Sequence, residues 1–424
     1  MKTARRLLDD CFRPGKETLR HAEALKLIDE RLIAVARTEI VPLAQAYGRV
    51  LAEDVFAARP VPGFSNAAVD GYAFAYGSLF RNHNRLKVAE RIAAGDEALK
   101  PLEKGEAARV FTGAAIPANA DTCVMQEDVT VEDDHIVVPS GLKPGANLRK
   151  AGEDVRSGGK LADAGQRLRP QELAAIAAAG RTELRCFRPL TIGLLSTGNE
   201  VVRPGEPLGV TQVFDSNHFM LNGMLAAMGF GAADLGIIPD DPAMVRTALE
   251  AAAEVCDVVI STGGASRGET DHVMEALGAL GSVHAWGLAV KPGRRLAMGQ
   301  VGDTVFCGLP GNPVAAFVSF GLYARLILAR LQGAFWHEPR RYLVPAGFAV
   351  AERKPGRREY WRGWIGYGGD GRPVLQKFAY DGSALISGLR QAEGLIEVPE
   401  EMTAIAEGEP LAFIPFTELG LPPK

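Results

Sequence analysis

The chain has 424 residues, 47% of them apolar and 23% charged, with a formal net charge of −4. That length calls for roughly two to four domains with buried cores. The charge gives no whole-molecule attraction to nucleic acid or to an anionic membrane, so neither is expected as a partner. Five cysteines, Cys11, Cys123, Cys186, Cys256 and Cys307, show no C-x-x-C spacing, which argues for reduced thiols in a cytoplasmic protein. The first ten residues reach Asp9 and Asp10 without an apolar core, so they do not read as a secretory signal.

In chain order, residues 22–36 read as an amphipathic helix with Leu25, Ile28, Leu32 and Val35 on one face. A second helical or turn segment follows over residues 44–54, and Pro60 and Pro62 stiffen the connector to Phe64. Asp70-Gly71 reads as a tight turn on its own. Short alternating runs from there to about Val138 suggest a small β-rich module, in which Phe111-Thr112-Gly113 is a strand-to-loop junction carrying a hydroxyl. Residues 149–155 return to polar loop, and Pro170 suits the first turn of an Ala-rich helix over residues 170–179. The β module therefore reads as an insertion at 57–149, with 1–56 and 150–187 forming one mostly helical N-terminal domain.

From Arg188-Pro189 the pattern changes to regular strand–helix alternation, which implies a doubly wound α/β sheet over residues 188–336. Strands are expected at 190–195, 233–238 and from Asp257. Helices are expected to start at Asp215-Ser216-Asn217, at Asp241-Pro242, at Asp271 and at Asn312-Pro313, with Asp or Asn capping and Pro at the first position. Residues 304–324 are free of charge and long enough to span a bilayer. The interruption Gly308-Leu309-Pro310-Gly311-Asn312-Pro313 makes them a strand, a turn and a buried helix instead. Beyond Glu338, a hairpin at 360–378 and glycine-punctuated short strands describe an all-β, barrel-like domain over 337–424.

Three apolar runs end in Gly-rich polar loops: Thr197-Gly198-Asn199-Glu200, the stretch from Thr262-Gly263-Gly264 through Ser266 to Asp271, and Pro310-Gly311-Asn312-Pro313. Parallel strands deliver such loops to one carboxyl edge, where ligands of open α/β sheets bind. The loops match neither the P-loop nor the dinucleotide fingerprint, though backbone N–H groups after a strand can hold phosphate. Glu200, Asp240 and Asp271 each fall just past a strand, and like charges gathered there need a cation, for which Mg²⁺ suits oxygen ligands beside phosphates. Helix capping is the alternative for Asp240 and Asp271. Lys291-Pro292-Gly293-Arg294-Arg295 places three positive charges on a rigid turn suited to an oxyanion, or to solvent.

Taken together, the segments 62–73, 112–114, 152–154, 196–200, 261–271, 291–293 and 308–313 resemble the molybdopterin molybdenumtransferase family, MoeA in bacteria and the E domain of gephyrin. The resemblance implies a four-domain, elongated homodimer. It also implies a reaction in which adenylylated molybdopterin loses AMP and receives molybdate with Mg²⁺ assistance. Asp70 and Thr112 would act from the partner subunit, while Glu200, Asp240 and Asp271 would line the pterin-phosphate and metal pocket. Lys291, Arg294, Arg362 and Ser383 would hold molybdate or phosphate. The pterin would rest on Thr197, Gly198, Asp215, Ser216, Asn217, Gly263, Gly264, Ser266, Pro310, Gly311, Asn312 and Pro313. The intermediate would be handed over by a molybdopterin adenylyltransferase, and the product passed to molybdoenzymes.

The sequence departs from the family pattern at Gly287, where many relatives carry lysine, and at Ala315, where several carry serine. Arg294 stands for a frequent lysine and Arg295 for a frequent proline. Two other functions remain in competition: a molybdopterin adenylyltransferase, which would leave the Asp70 module and the β tail unexplained, and a non-catalytic molybdopterin-binding scaffold.

Overall fold

The computed structural model describes residues 18–81, 83–97, 100–263 and 272–424. Two units emerge, residues 40–186 and the remainder of the described chain.

In the first unit, six strands form one sheet in the order Thr122–Met125, Gly71–Phe74, Glu106–Val110, Arg85–Ile92, His135–Val137 and Thr130–Glu132. Alternate residues of Gly71–Phe74 enter two separate cores. Ala73 packs with Cys123 and Val110 on one face, and Tyr72 and Phe74 pack with Val124 and Ile136 on the other. Gly71 opens this strand rather than closing a turn. A Cβ there would lie 1.9 Å from the Val124 carbonyl oxygen, so only glycine fits.

Strands from either side of residues 57–149 pair with one another. Thr38–Pro42, Glu183–Phe187 and Val50–Leu51 make a three-stranded sheet, and Val55–Phe56 pairs with Lys160–Ala162. These are mostly short strands where helix was expected. Leu43–Gln45 is only one 3₁₀ turn, and the α-helix of this region is Pro170–Ala178 with Pro at its start.

The first helix, His21–Arg31, belongs by packing to the other unit. Its apolar face, Ala24, Leu25 and Ile28, enters the largest core, and Asp29 pairs with Arg330. Each such buried Leu or Ile contributes about 1.5–3 kcal/mol.

That core lies against a six-stranded sheet ordered Ala232–Ile238, Ile192–Thr197, Val258–Thr262, Thr304–Leu309, Arg295–Val301 and Ser282–Gly287. The first four strands run parallel, and Arg295–Val301 runs antiparallel to both of its neighbours. Doubly wound alternation thus holds for most of the sheet. It breaks where only residues 288–294 join two neighbouring strands, too few for a crossover. Helices Ser216–Ala227 and Pro242–Val255 start on Asp215 and Asp241, whose carboxylates accept the His218 and Met244 backbone N–H groups at 3.0 and 2.9 Å.

Pro313–Gln332 is one 20-residue helix with a π turn at Phe320–Ala324. It is long and apolar enough to cross a membrane, yet 89% of its apolar window is buried inside the protein, as expected for a core helix.

The C-terminal sheet follows the order Val290–Lys291, Arg358–Tyr367, Gly394–Val398, Pro410–Pro415 and Tyr342–Pro345, and Pro373–Lys377 completes the expected hairpin with Arg358–Tyr367. Val290–Lys291, a product of the central domain, is therefore also a strand of the C-terminal one.

Candidate functional site

The four parallel strands all end at one edge, with Ser196 paired to Thr262 and Thr262 to Leu309. Arg295–Val301, running the other way, begins at that same edge. Its direction carries Arg294 and Arg295 to the edge where Gly263 and residues 310–312 lie.

A cavity of about 650 Å³ opens there. Gly263, Pro310, Gly311 and Asn312 form one wall. Lys291, Arg294 and Arg295 contribute cations, and Asp381 and Ser383 reach in from the C-terminal domain. Among the described residues, Arg294 and Arg295 are exposed and meet no acidic side chain, whereas the Asp381 carboxylate accepts from Lys377 Nζ at 2.6 Å. The described lining of the cavity is therefore electropositive, as an oxyanion site requires.

Gly263 is demanded by close approach. At its φ of +86°, a Cβ would sit 2.8 Å from Thr197 Oγ1 and 2.9 Å from the Thr197 carbonyl oxygen. Gly263→Ala is expected to lower stability by at least about 1–2 kcal/mol from backbone strain alone and to disturb the cavity wall. A variant that melts like the parent would show that the wall adapts. Asn217, buried at the start of its helix, donates to the Gly311 carbonyl at 2.7 Å and to Thr262 Oγ1 at 3.3 Å, binding two strand ends together. Its Oδ1 has no partner among the described residues, so a hydrogen-bond acceptor is left over beside the cavity wall.

Glu200 and Asp240 stand at the ends of neighbouring strands. Asp240 and Asn199 form a mutual ring. Asp240 Oδ2 accepts the Asn199 N–H at 3.3 Å, and Asn199 Oδ1 accepts the Asp240 N–H at 3.1 Å. Asp241, and not Asp240, caps the following helix, so capping does not account for the Asp240 carboxylate. Gly264, Ser266 and Asp271 lie outside the described residues. Among those described, no group of three or more His, Cys, Asp or Glu could hold a metal ion.

Asp215 is spent locally, capping its helix and accepting from Arg203 Nη1 at 2.8 Å. Ser216 and Pro313 open helices Ser216–Ala227 and Pro313–Ser319, and Gly198 has φ +136° beside the Glu200 carboxylate. Arg362 is placed behind the cavity instead of lining it. It is 5% exposed, and its guanidinium donates to the carbonyls of Gly382, Leu385 and Tyr380 at 3.0, 3.1 and 2.5 Å. Arg362 thus shapes the loop that presents Asp381 and Ser383. Of the departures, Ala315 lines the cavity, while Gly287 stands against Thr18, its carbonyl accepting the Leu19 N–H at 2.9 Å.

In the other unit, Asp70 and Thr112 form a preset pair. Asp70 Oδ1 accepts the Thr112 N–H at 2.7 Å and its hydroxyl at 2.9 Å. Those two hydrogen bonds, with the nearby Arg109 charge, outweigh slight desolvation and hold the carboxyl below its ordinary range. The sequence had not singled out Asp381, Glu359 or Trp361. The available signal was an acid and a tryptophan two apart, Glu359-x-Trp361, which share one face of a strand.

Comparison with known proteins identifies the family. Family models described as the MoeA N-terminal region (domain I and II), a probable molybdopterin binding domain and the MoeA C-terminal region (domain IV) match residues 19–180, 193–330 and 344–416. A Haemophilus influenzae molybdopterin molybdenumtransferase is 36% identical over 92% of this chain and 96% of its own. Molybdopterin molybdenumtransferase 2 of Mycobacterium tuberculosis is 30% identical over 93% and 98%. A crystal structure of the molybdopterin biosynthesis MoeA protein of Pyrococcus horikoshii superposes with a TM-score of 0.78 at 30% identity, covering 94% of this chain and all of that one. With family models matching most of its length and a relative 36% identical over nearly the whole of both chains, the chain belongs to the molybdopterin molybdenumtransferase family.

Proposed function

We propose that the protein is a molybdopterin molybdenumtransferase that inserts molybdate into adenylylated molybdopterin and releases AMP. The observation that carries this reading is the electropositive cavity at the carboxyl edge of the central sheet, in a chain similar over nearly its whole length to enzymes of that name. Both substrates are anions. Arg294 and Arg295, which meet no acidic side chain among the described residues, would receive them, Lys291 faces the same space, and Ser383 adds a hydroxyl.

The pterin would lie along Thr197, Gly198, Gly263 and residues 310–313, with Asn217 Oδ1 available to accept an N–H. Arg362 acts as a positioning residue for the Asp381–Ser383 loop. The reading includes Mg²⁺ at Glu200 and Asp240, with Asp271 as a further ligand. The two described carboxylates suit a hard cation by chemistry, and the ion would neutralise charge on the leaving phosphate. It also includes a cytoplasmic homodimer in which Asp70 and Thr112 serve the partner's site. Their hydrogen-bonded pairing keeps the Asp70 carboxylate ionised and fixed. The four described cysteines are buried and unbridged, in keeping with a reducing compartment.

The deciding experiment follows AMP release from adenylylated molybdopterin with and without molybdate and Mg²⁺. Release that needs both, with formation of the molybdenum-loaded pterin, is the expected result. Binding without release would instead assign a scaffold, and ATP-dependent adenylylation of free molybdopterin an adenylyltransferase.

A further inference from the structure

Lys291 does not face the cavity alone. Its backbone pairs in register with Glu359 across the junction of Val290–Lys291 and Arg358–Tyr367, and its Nζ lies 3.2 Å from Glu359 Oε2. Glu359 is 7% exposed, whereas the Lys291 side chain remains 42% exposed. The acid is fixed and the lysine is open to the cavity.

Two groups besides Lys291 fix the acid. Trp361 Nε1 donates to the same Oε2 at 2.8 Å, and the Arg353 guanidinium lies 3.4 Å from Oε1. Arg353, itself buried, donates to the Pro399 and Met402 carbonyls at 2.9 and 2.5 Å. Behind Lys291, a void of about 20 Å³ between Glu359, Trp361 and Lys377 holds at most a water-sized body. The space on that side of the ammonium group is small, whereas the cavity side is open.

We propose that Glu359 is the built-in counter-ion of Lys291 and sets how tightly the cavity holds its oxyanion, an inference that rests on the transferase reading of that cavity. An oxyanion arriving at Arg294 and Arg295 must share Lys291 with a carboxylate that cannot leave. Part of the attraction is thereby cancelled while the ion is waiting. Ground-state binding that is too tight adds nothing to the rate of the step that consumes the ion. A fixed negative charge within a few ångströms weakens anion binding, and its removal strengthens it. Trp361 acts in the opposite direction. Its N–H satisfies part of Oε2 and so loosens the hold of Glu359 on Lys291.

The two residues therefore predict shifts of opposite sign, which a merely structural role does not. Titration of the full-length protein with sodium molybdate, followed by calorimetry, is expected to show Glu359→Gln binding about tenfold tighter than the parent. Turnover at saturating molybdate should fall in that variant. Trp361→Phe leaves every charge in place and keeps a ring beneath Lys377 Nζ, which sits 4.9 Å from the Trp361 centroid. It is expected to bind molybdate several-fold more weakly. Glu359→Gln that folds and binds no more tightly than the parent overturns the proposal. If that variant does not fold, unchanged affinity in Trp361→Phe overturns it. A parent protein that binds no molybdate rejects the reading of the cavity itself, and does so before any variant is made.

Discussion

Asp240→Asn is expected to lower the rate of the proposed molybdate-dependent AMP release by on the order of 100-fold, the loss typical when one preset electrostatic group is removed from a reacting phosphate. The fold is untouched, with unfolding free energy within roughly 0.5 kcal/mol of the parent. The reasoning rests on what each Asp240 atom does. The side-chain oxygen that accepts the Asn199 N–H is retained by asparagine, and the Asp240 N–H still donates to Asn199 Oδ1. Only the charge is lost. Asp240→Ala would open the ring as well, mixing a loop displacement with the electrostatic loss, so the amide is the cleaner substitution. Because Asp241 caps the helix, neither change removes the cap. Titrating Mg²⁺ against the variant supplies a second readout, since a ligand lost from the ion raises the concentration needed for half-maximal rate. Turnover within threefold of the parent at ordinary Mg²⁺ would remove Asp240 from the site.

Much of this site was legible because its signals are local. Asp241-Pro242 and Asn312-Pro313 mark helix starts through backbone geometry at two adjacent residues, and both helices begin there. Apolar runs ending in glycine gave the strand ends in the same way. What stayed hidden depends on residues far apart in the chain. The reversal of Arg295–Val301 follows from which strand it pairs with, and its own alternation carries no trace of direction. Arg362 looks like any other arginine until Tyr380, Gly382 and Leu385 turn their carbonyls toward it. Helix His21–Arg31 showed a clear apolar face, but the face does not name its partner. Only the fold reveals that it lies in the core shared with Leu326 and Ile327.

That same helix carries the second large effect. His21 is 3% exposed, with Nδ1 2.8 Å from the Tyr323 hydroxyl and its ring edge-on to Tyr323 and Tyr360. Burial lowers its pKa from 6.5 to about 4. The Glu397 charge opposes the shift, and those of Arg358 and Arg341 add to it. The imidazole is thus neutral in the folded protein, while the unfolded chain takes up a proton below about pH 6.5. Stability therefore falls as pH drops from 6.5 to about 4, by about 3 kcal/mol in all.

Glu397 extends the loss below that window. Burial disfavours its charge, but the Arg341 hydrogen bond with the Arg341 and Arg358 charges outweighs this and holds its pKa below 4.5. Its contribution is complete above the unfolded value and disappears as pH falls through the folded one. All four tryptophans, Trp286, Trp336, Trp361 and Trp364, lie within residues 187–424, so tryptophan fluorescence follows this unit alone. Denaturant melts from pH 4 to 7 should show the slope in the parent. His21→Gln keeps a hydrogen-bonding group near Tyr323 and should flatten the slope. Glu397→Ala at neutral pH removes the acceptor that Arg341, Arg358 and the Tyr360 hydroxyl share, at 2.5, 2.8 and 3.1 Å, while Arg341 keeps Glu338 and Arg358 keeps Glu400. It should cost about 1–3 kcal/mol. A His21→Gln protein that keeps the parent's slope would place the proton uptake elsewhere. A Glu397→Ala protein that melts with the parent would show that Glu338 and Glu400 suffice for the two cations.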